Sequence, residues 1–208
     1  MTARIDHVVT SGVFSLDGQD FDVDNNVWLV GDDNEVIVID AAHNAKAIMT
    51  AVGERRVVAI VCTHAHNDHV NAVTDLVAAT HAPVRLHPDD TMLWAVVNPG
   101  IDFVPLRDGE EIEVGGVVAQ VLHTPGHSPG GVCLRVEALD ALFSGDTLFH
   151  GGPGATGRSF SDFPTILDSI RERLLTLPPQ TRVFTGHGDQ TTIGDAAGAY
   201  DDWVVRGH

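Results

Sequence analysis

A run of six residues, His64-Ala65-His66-Asn67-Asp68-His69, restricts the fold and chemistry of this chain more than any other feature. The run places three imidazoles and a carboxylate directly after the apolar segment Val57–Cys62. Imidazole and carboxylate are ligands for zinc, iron and manganese, and four of them so close together favour a metal site. In an extended chain His64, His66 and Asp68 share one face, whereas His69 is out of phase with them. The spacing therefore indicates two metal ions rather than one.

Three later segments repeat one pattern, in which an apolar run ends in a turn that carries glycine and one potential ligand. The runs and their ligands are Val117–Leu122 with His127, Ala141–Phe143 with Asp146, and Val183-Phe184 with His187. Open α/β folds gather their sites where strands end in loops at one rim, so we expect these ligands to converge. The candidate ligands are His64, His66, Asp68, His69, His127, Asp146 and His187. One catalytic zinc takes about three protein ligands, so this set suits two ions roughly 3.5–4 Å apart with a shared carboxylate.

The four ligand-bearing elements together resemble the metallo-β-lactamase-fold hydrolase superfamily, and within it the glyoxalase II-like thioester hydrolases. The elements are Thr63–His69, Thr124–Gly130, Ser144–Phe149 and Thr185–Gly188, and the similarity runs from Asn26 to Gly188. The resemblance implies an α/β fold, a four-layer αβ/βα sandwich in which two β-sheets pack face to face with helices on both outer faces. A length of 208 residues suits one such domain over 1–208.

The resemblance also implies a role for each candidate ligand. The implied roles are the first metal for His64, His66 and His127, the second metal for Asp68, His69 and His187, and the bridge between them for Asp146. Asp68 would in addition orient the catalytic hydroxide. The implied cofactors are two divalent metal ions, zinc in the first place, with iron or manganese as alternatives because imidazole and carboxylate suit all three.

This ligand set predicts a hydrolase. Water shared between two divalent ions loses its proton readily, since even one zinc lowers its pKa to about 7, and the bridging hydroxide attacks a carbonyl carbon. A thiolate leaving group needs little protonation, which favours a thioester. Long glyoxalase II enzymes grip glutathione with a C-terminal helical domain, whereas here 21 residues (208 − 187) follow His187. We therefore expect a thioester of a less anionic low-molecular-weight thiol, such as mycothiol.

Two other functions are compatible with the sequence. The first is a persulfide dioxygenase-like oxidoreductase, in which His64, His127 and Asp146 hold one iron and the other four candidates need a different explanation. The second is a non-catalytic metal-binding or sensing module. A damaged ligand set would mark such a module, and the sequence shows no damage to the set.

Charge and composition limit the classes of molecule that this protein is expected to bind. The formal charge is −17 and Lys46 is the single lysine, which argues against nucleic acid because phosphate neutralisation needs Lys and Arg. The sequence has no apolar stretch of about 18 residues for a membrane span and no signal-peptide pattern in Met1–Gly12, so we expect a cytoplasmic protein with a small-molecule substrate. Cys62 and Cys133 lie in apolar runs and are predicted to be buried, reduced thiols. The sequence does not predict an oligomeric state.

Apolar periodicity and turn residues predict alternating strands and helices. The predicted strands are Val27–Val30, Val36–Ile39, Val57–Cys62, Val84–His87, Glu111–Val114, Val117–Leu122, Val132–Val136 and Ala141–Phe143. The predicted helices are Asn44–Val52, Val70–Ala79 and Phe163–Leu177. Asn67 or Asp68 is expected to cap the second of these helices.

Some residues outside the ligand set are also of interest. Asp40 follows a predicted strand and is expected to support a metal-bound histidine, since such histidines usually have a carboxylate or carbonyl partner. The glycine-rich stretch 151–157 with Arg158 is the best candidate for a substrate loop. His43 has no ligand neighbour in the sequence and is interpreted, like the other isolated histidines, as a surface or core residue.

Overall fold

The computed structural model describes residues 2–16, 18–157 and 159–207. The strands are β1 (Arg4–Leu16), β2 (Gln19–Gly31), β3 (Glu35–Ile39), β4 (Arg56–Val61), β5 (Val84–Leu86), β6 (Val104–Pro105), β7 (Glu111–Val114), β8 (Val117–His123), β9 (Val132–Val136), β10 (Ala141–Gly145), β11 (Leu148–Phe149), β12 (Gly152–Pro153), β13 (Arg182–Thr185) and β14 (Thr191–Thr192). The helices are α1 (Ala45–Val52), α2 (Asn67–Val70), α3 (Val73–Thr80), α4 (Thr91–Val97), α5 (Phe163–Ser169) and α6 (Ile193–Arg206).

The strands form two large sheets and a small hairpin. The first sheet has the order β1-β2-β3-β4-β5-β6, antiparallel from β1 to β3 and parallel from β3 to β6. The second has the order β14-β13-β10-β9-β8-β7, with β10 and β13 parallel. The hairpin pairs β11 with β12. Because β1 and β2 pair over thirteen residues each, they extend as a long ribbon beside the rest of their sheet.

Successive side chains along each central strand point alternately to the core between the sheets and to the core under the helices. On β3, Val36 and Val38 face a core under helices, whereas Ile37 and Ile39 face the core between the sheets. On β10, Phe143 faces the core between the sheets and its neighbour Leu142 faces the outer core. Helices α1, α3 and α4 cover the first sheet, and α5 and α6 cover the second. The predicted four-layer αβ/βα sandwich is confirmed.

The predicted helix Val70–Ala79 is wrong in its boundaries. The structure has the short α2, a break at Asn71-Ala72, and then α3. The break arises because the Ala72 N–H donates to the carbonyl of Ala41 at 3.0 Å and so leaves the helical hydrogen-bond ladder. The expected cap at Asn67 or Asp68 is also wrong, since α2 begins at Asn67 after His66, and Asp68 accepts a tertiary hydrogen bond instead.

The long predicted helix Phe163–Leu177 is present in part. Its first part is α5, where the Asp162 side chain accepts from the Thr165 N–H at 2.8 Å as an N-cap. A π-helical turn, Ile170–Leu174, continues it. In the described part of the chain no helix is long and apolar enough to cross a membrane. The single domain over 1–208 remains a prediction.

Candidate metal centre

The seven candidate ligands lie on four loops at one edge of the sandwich. His64 and His66 lie in the loop after β4, and Asp68 and His69 lie in α2, which follows that loop. The other three lie directly beyond the ends of β8, β10 and β13, where the apolar runs stop. They are His127, Asp146 and His187. The structure therefore brings the whole predicted set together, because both sheets end their central strands at the same rim.

Three histidines form a first group. One ring nitrogen from each of His64, His66 and His127 lies within 4.8 Å of the others, and His66 Nδ1 is 2.9 Å from His127 Nε2. His64 Nε2 is buried and has no hydrogen-bond partner among the described residues. A buried ring nitrogen without a partner is costly unless something else binds it.

A second group consists of Asp68, His69 and His187. His69 Nε2 lies 3.0 Å from His187 Nε2. Asp68 Oδ2 lies 3.2 Å from the same atom of His187 and 3.5 Å from His69 Nε2. Asp68 and His69 are buried, and His187 is partly exposed, so the group opens toward solvent on one side.

Asp146 lies between the two groups. Its Oδ2 is 3.4 Å from His127 Nε2 in the first group and 3.7 Å from His187 Nε2 in the second. Its Oδ1 is 3.3 Å from His69 Nε2 and has no hydrogen-bond partner among the described residues. One carboxylate therefore contacts ligand atoms of both groups.

Hydrogen bonds on the outer side of the histidines determine which nitrogen carries the proton. His127 Nδ1 donates to the carbonyl of Ala155 and His187 Nδ1 to the carbonyl of Asp24, each at 2.8 Å. His69 Nδ1 donates to Asp40 Oδ2 at 3.0 Å. In the neutral rings the Nε2 atoms are then lone-pair acceptors. Several acceptors and carboxylates that face one another require a cation between them, so the residues present fit divalent metal ions.

Asp40 is held rigidly in its place behind His69. Its carboxylate accepts the backbone N–H and the hydroxyl of Thr63, both at 2.7 Å. Asp40 adopts φ 57°, a left-handed conformation that few residues with a side chain occupy. The sequence prediction that Asp40 supports a histidine of the site agrees with this contact.

The charge distribution of the protein without metal follows from burial and from the neighbouring groups. Burial lowers the pKa of His64 well below its usual value and that of His66 to about 4. Burial also opposes ionisation of Asp68 and Asp146, yet the adjacent His69 outweighs it and both carboxyl pKa values fall below their usual range. The same carboxylates raise the pKa of His69. The metal-free cluster therefore keeps both carboxylates ionised, as metal binding requires.

Two glycines let the backbone approach the cluster. A methyl group on Gly186 would overlap the carboxylate of Asp146 and the ring of His69. A methyl group on Gly154 would overlap the backbone carbonyl of Asp146. Glycine is thus required at both positions by close packing around Asp146.

Several residues that contact the site were not predicted from the sequence. Asn25, fully buried, donates to Asp68 Oδ2 at 3.1 Å, and Asp90, also buried, accepts from the N–H of Ala65 at 2.9 Å. Asp90 further accepts from the N–H of Gly130 at 2.6 Å, so it joins the loops of two ligands. Asn25 lies in the middle of β2, two residues before the apolar run Val27–Val30, and this polar position beside a buried run was the available signal. Arg158 of the predicted substrate loop lies outside the described residues.

A further histidine pair does not make a metal site of the same kind. His87, Asp89 and His123 have candidate ligand atoms within 4.8 Å of one another. The two imidazole rings, however, stack in parallel at 4.0 Å with an angle of 10° between their planes. In-plane lone pairs of parallel rings do not converge on one ion, and His123 Nε2 already donates to the carbonyl of Pro129 at 2.9 Å.

A sandwich of two sheets with paired His/Asp groups on its rim defines a class of metal-dependent hydrolases. A family model described as the metallo-beta-lactamase superfamily matches residues 21–187. The chain belongs to the metallo-beta-lactamase superfamily.

Two curated relatives are similar over most of the chain. "Probable metallo-hydrolase YqgX" of Bacillus subtilis is 33% identical over 184 residues, which cover 81% of this chain and 87% of the relative. "Hydroxyacylglutathione hydrolase GloC" of Haemophilus influenzae is 32% identical over 188 residues, with coverages of 81% and 88%. The match to the family model, over residues 21–187, includes all seven candidate ligands.

Two solved structures share the fold. The structure of TTHA1623 in a di-iron-bound form is 36% identical, with a TM-score of 0.76 and coverage of 84% of this chain and 93% of that one. ETHE1 from Myxococcus xanthus is 28% identical, with a TM-score of 0.70 and coverages of 83% and 76%. The predicted resemblance to this superfamily and to its glyoxalase II-like members is confirmed.

Proposed function

We propose that this protein is a dinuclear metal hydrolase that cleaves a thioester of a low-molecular-weight thiol. The observation that carries the proposal is the pair of ligand groups joined by Asp146, whose carboxylate contacts His127 on one side and His69 and His187 on the other. Divalent ions held there by these residues would supply an activated water and would polarise a carbonyl oxygen. We propose zinc as the metal, and the di-iron form of TTHA1623 makes iron the main alternative.

Within this proposal Asp68 binds the second metal and orients the attacking water. Its Oδ2 is positioned by the amide of Asn25 at 3.1 Å and faces His187 at 3.2 Å. Burial of the carboxylate keeps it in one position, and the adjacent imidazoles keep it ionised. A buried, ionised carboxylate that is held by a neutral donor can accept a hydrogen bond from the attacking water and so orient it.

The hydrogen bonds of the site favour a leaving group that needs no proton. The ring N–H groups of His127, His187 and His69 donate to Ala155, Asp24 and Asp40. These three N–H groups are therefore hydrogen-bonded within the protein and are not available to protonate a leaving group. A thiolate leaves without protonation, whereas the amine of an amide needs a proton donor. The arrangement supports a thioester over an amide.

The ribbon of β1 and β2 supplies an apolar wall beside the site. Phe14 is half-buried, and its ring centroid lies 6.3 Å from that of His66 in an edge-on arrangement. Phe21 is the cross-strand partner of Phe14 and therefore shares its face. This face suits an acyl group or thiol with apolar carbon, and we propose that it contacts the substrate.

The charge of the chain bears on the choice of thiol. With a formal charge of −17, the protein repels anionic substrates at long range. We therefore favour a thiol less anionic than glutathione, although GloC is named for a glutathione substrate. The same charge supports a small-molecule substrate and no nucleic-acid partner, and a cytoplasmic location remains a prediction.

The test is turnover of matched lactoyl thioesters of glutathione, mycothiol and N-acetylcysteamine, each measured as release of the free thiol. We expect the thioesters of the two less anionic thiols to have the higher kcat/KM. A preference for the glutathione thioester would overturn the choice of thiol, and cleavage of none of the three would overturn thioester hydrolysis.

A second candidate function is a persulfide dioxygenase-like oxidoreductase with one iron at His64, His127 and Asp146. The short distance of 3.4 Å between Asp146 Oδ2 and His127 Nε2 favours it, and the di-iron form of a 36% identical relative supports iron as the metal. This function leaves four of the candidate ligands without a role, namely His66, Asp68, His69 and His187. Oxygen uptake with a persulfide, measured on iron-loaded protein, distinguishes the two candidates.

A further inference from the structure

His43 lies in the loop between β3 and α1 and is not a candidate ligand, yet it occupies an unusual position. Its backbone has φ 53°, in the left-handed region where residues with a side chain are rare. Such strain persists where surrounding contacts impose it, and it clusters near functional sites. The contacts that impose it here lead to the metal centre.

Asn71 lies in the break between α2 and α3, and its side chain forms hydrogen bonds with His43. Asn71 Oδ1 accepts the backbone N–H of His43 at 2.6 Å, which determines the orientation of the Asn71 amide. The Asn71 amide nitrogen then faces His43 Nδ1 at 2.9 Å and donates to it. The proton of the neutral His43 ring is consequently on Nε2. Burial lowers the pKa of His43, in agreement with a neutral ring.

The Nε2–H of His43 continues the chain of hydrogen bonds. It lies 2.8 Å from Asn25 Oδ1, to which it donates. With its oxygen engaged in this way, Asn25 must direct its amide nitrogen at Asp68 Oδ2, 3.1 Å away. Donors and acceptors thus run in one direction, from the backbone of His43 through Asn71, the His43 ring and Asn25 to Asp68.

Strand β1 leaves room for this arrangement. A methyl group on Gly12 would overlap the imidazole ring of His43, so glycine is required for the close approach of β1. The His43 ring is therefore restricted to one position by three parts of the chain. These are β1, the break between α2 and α3, and the loop between β3 and α1.

We propose that His43 is a positioning residue for the second metal group, acting through Asn25 on the carboxylate of Asp68. The inference rests on the proposed dinuclear function. Without the His43 donor, the Asn25 amide is free to turn its oxygen toward Asp68, where two acceptors repel. Partners behind metal ligands typically change metal affinity by about 10–100-fold, and His43 stands one residue further back, so we expect a loss of about 10-fold at the second group.

The test is titration of metal-free protein with Co²⁺ against a chromophoric chelator, which reports the affinity of each equivalent without any substrate. We expect His43→Ala to weaken one equivalent by about 10-fold and to leave the other within about twofold. His43→Gln keeps a donor at a similar reach and should restore most of the affinity. Gly12→Ala, which displaces the ring without removing it, should weaken the same equivalent.

His81→Ala is the matched control, because His81 also adopts a left-handed conformation, φ 56°, but is exposed at the end of α3. It should bind both equivalents like the wild type. If His43→Ala and Gly12→Ala bound Co²⁺ like the wild type, or if both equivalents were weakened equally, the proposed role of His43 would be wrong. The dinuclear function would not be affected by that result. A wild-type protein that binds fewer than two equivalents would overturn the dinuclear function, and the role of His43 with it.

Discussion

At the scale of single residues, the centre depends on a small number of acceptors that face one another across short distances. His69 Nε2 and His187 Nε2 are 3.0 Å apart, and in the neutral rings the outer hydrogen bonds leave a lone pair on each of these atoms. Asp146 contacts both. Replacing the bridging carboxylate is therefore the most direct change at this scale.

Asp146→Asn should abolish most turnover while leaving the protein folded. The amide keeps the shape of the side chain but loses the charge that joins the two groups, so we expect a fall in kcat of more than about 100-fold. Metal content and circular dichroism are measured beside the rate. Asp102→Asn, at an exposed acid, is the control, and near-wild-type activity of Asp146→Asn would show that the site is assigned wrongly.

The ligands were predictable at this scale, whereas their supporting residues were not. The seven candidates stand in recognisable spacings beside apolar runs. Asn25 and His43 act through tertiary hydrogen bonds between β2, the loop after β3 and the break after α2, and each lies far from Asp68 in sequence. No local pattern distinguishes such a histidine from an ordinary surface residue.

At the scale of elements, the rim of the site depends on strands that stop where their apolar runs stop. The central strands were predictable because their buried faces read as continuous apolar runs. β1 was not, since Ser, Thr and His interrupt its apolar pattern, and it pairs with β2 along its whole length. Helix α6 is rich in Gly, Ala and Asp, and it packs through Ile193 and Trp203 instead.

The ribbon gives a prediction at this scale. Phe14→Ala should raise KM for thioesters by about 5–10-fold with a smaller effect on kcat, because burial of an aromatic contact is worth about 1–1.5 kcal/mol and lies away from the reacting bond. Val13→Ala changes the adjacent, exposed residue on the opposite face of the strand and should behave as wild type. An unchanged KM for Phe14→Ala would remove the ribbon from the substrate site.

At the scale of the whole molecule, three apolar cores separate the four layers, and both cysteines lie inside them. Cys62 packs under the helices of the first sheet and Cys133 under those of the second. Burial raises the pKa of both thiols, that of Cys133 to about 11. The four layers were predictable from the resemblance, while the break between α2 and α3 depends on contacts between layers.

The closed cores predict that the folded protein resists thiol alkylation. A thiol with a pKa of about 11 is roughly 0.1% thiolate at pH 8, and it is also inaccessible. Iodoacetamide at pH 8 should label neither cysteine in the native protein and both after unfolding, as measured by mass spectrometry. Rapid labelling of the native protein would contradict the packing of these cores.

Metal should stabilise the molecule as a whole, because its ligands come from both sheets. A ligand present at about 1,000 times its Kd stabilises the folded state by about 4 kcal/mol. We expect chelation to lower the Tm, added zinc to restore it, and Asp146→Asn to reduce the difference. A Tm that does not respond to chelation would argue against a metal that joins the sheets.

The central claim is that two metal ions act together on a thioester, and the most direct measurement is metal content per chain beside turnover. Protein purified without chelators is analysed by elemental mass spectrometry and assayed on the same day with a lactoyl thioester. We expect near two equivalents of divalent metal and a rate that rises with occupancy of the second. Near one equivalent of iron, with oxygen uptake on a persulfide and no thioester cleavage, would contradict this claim.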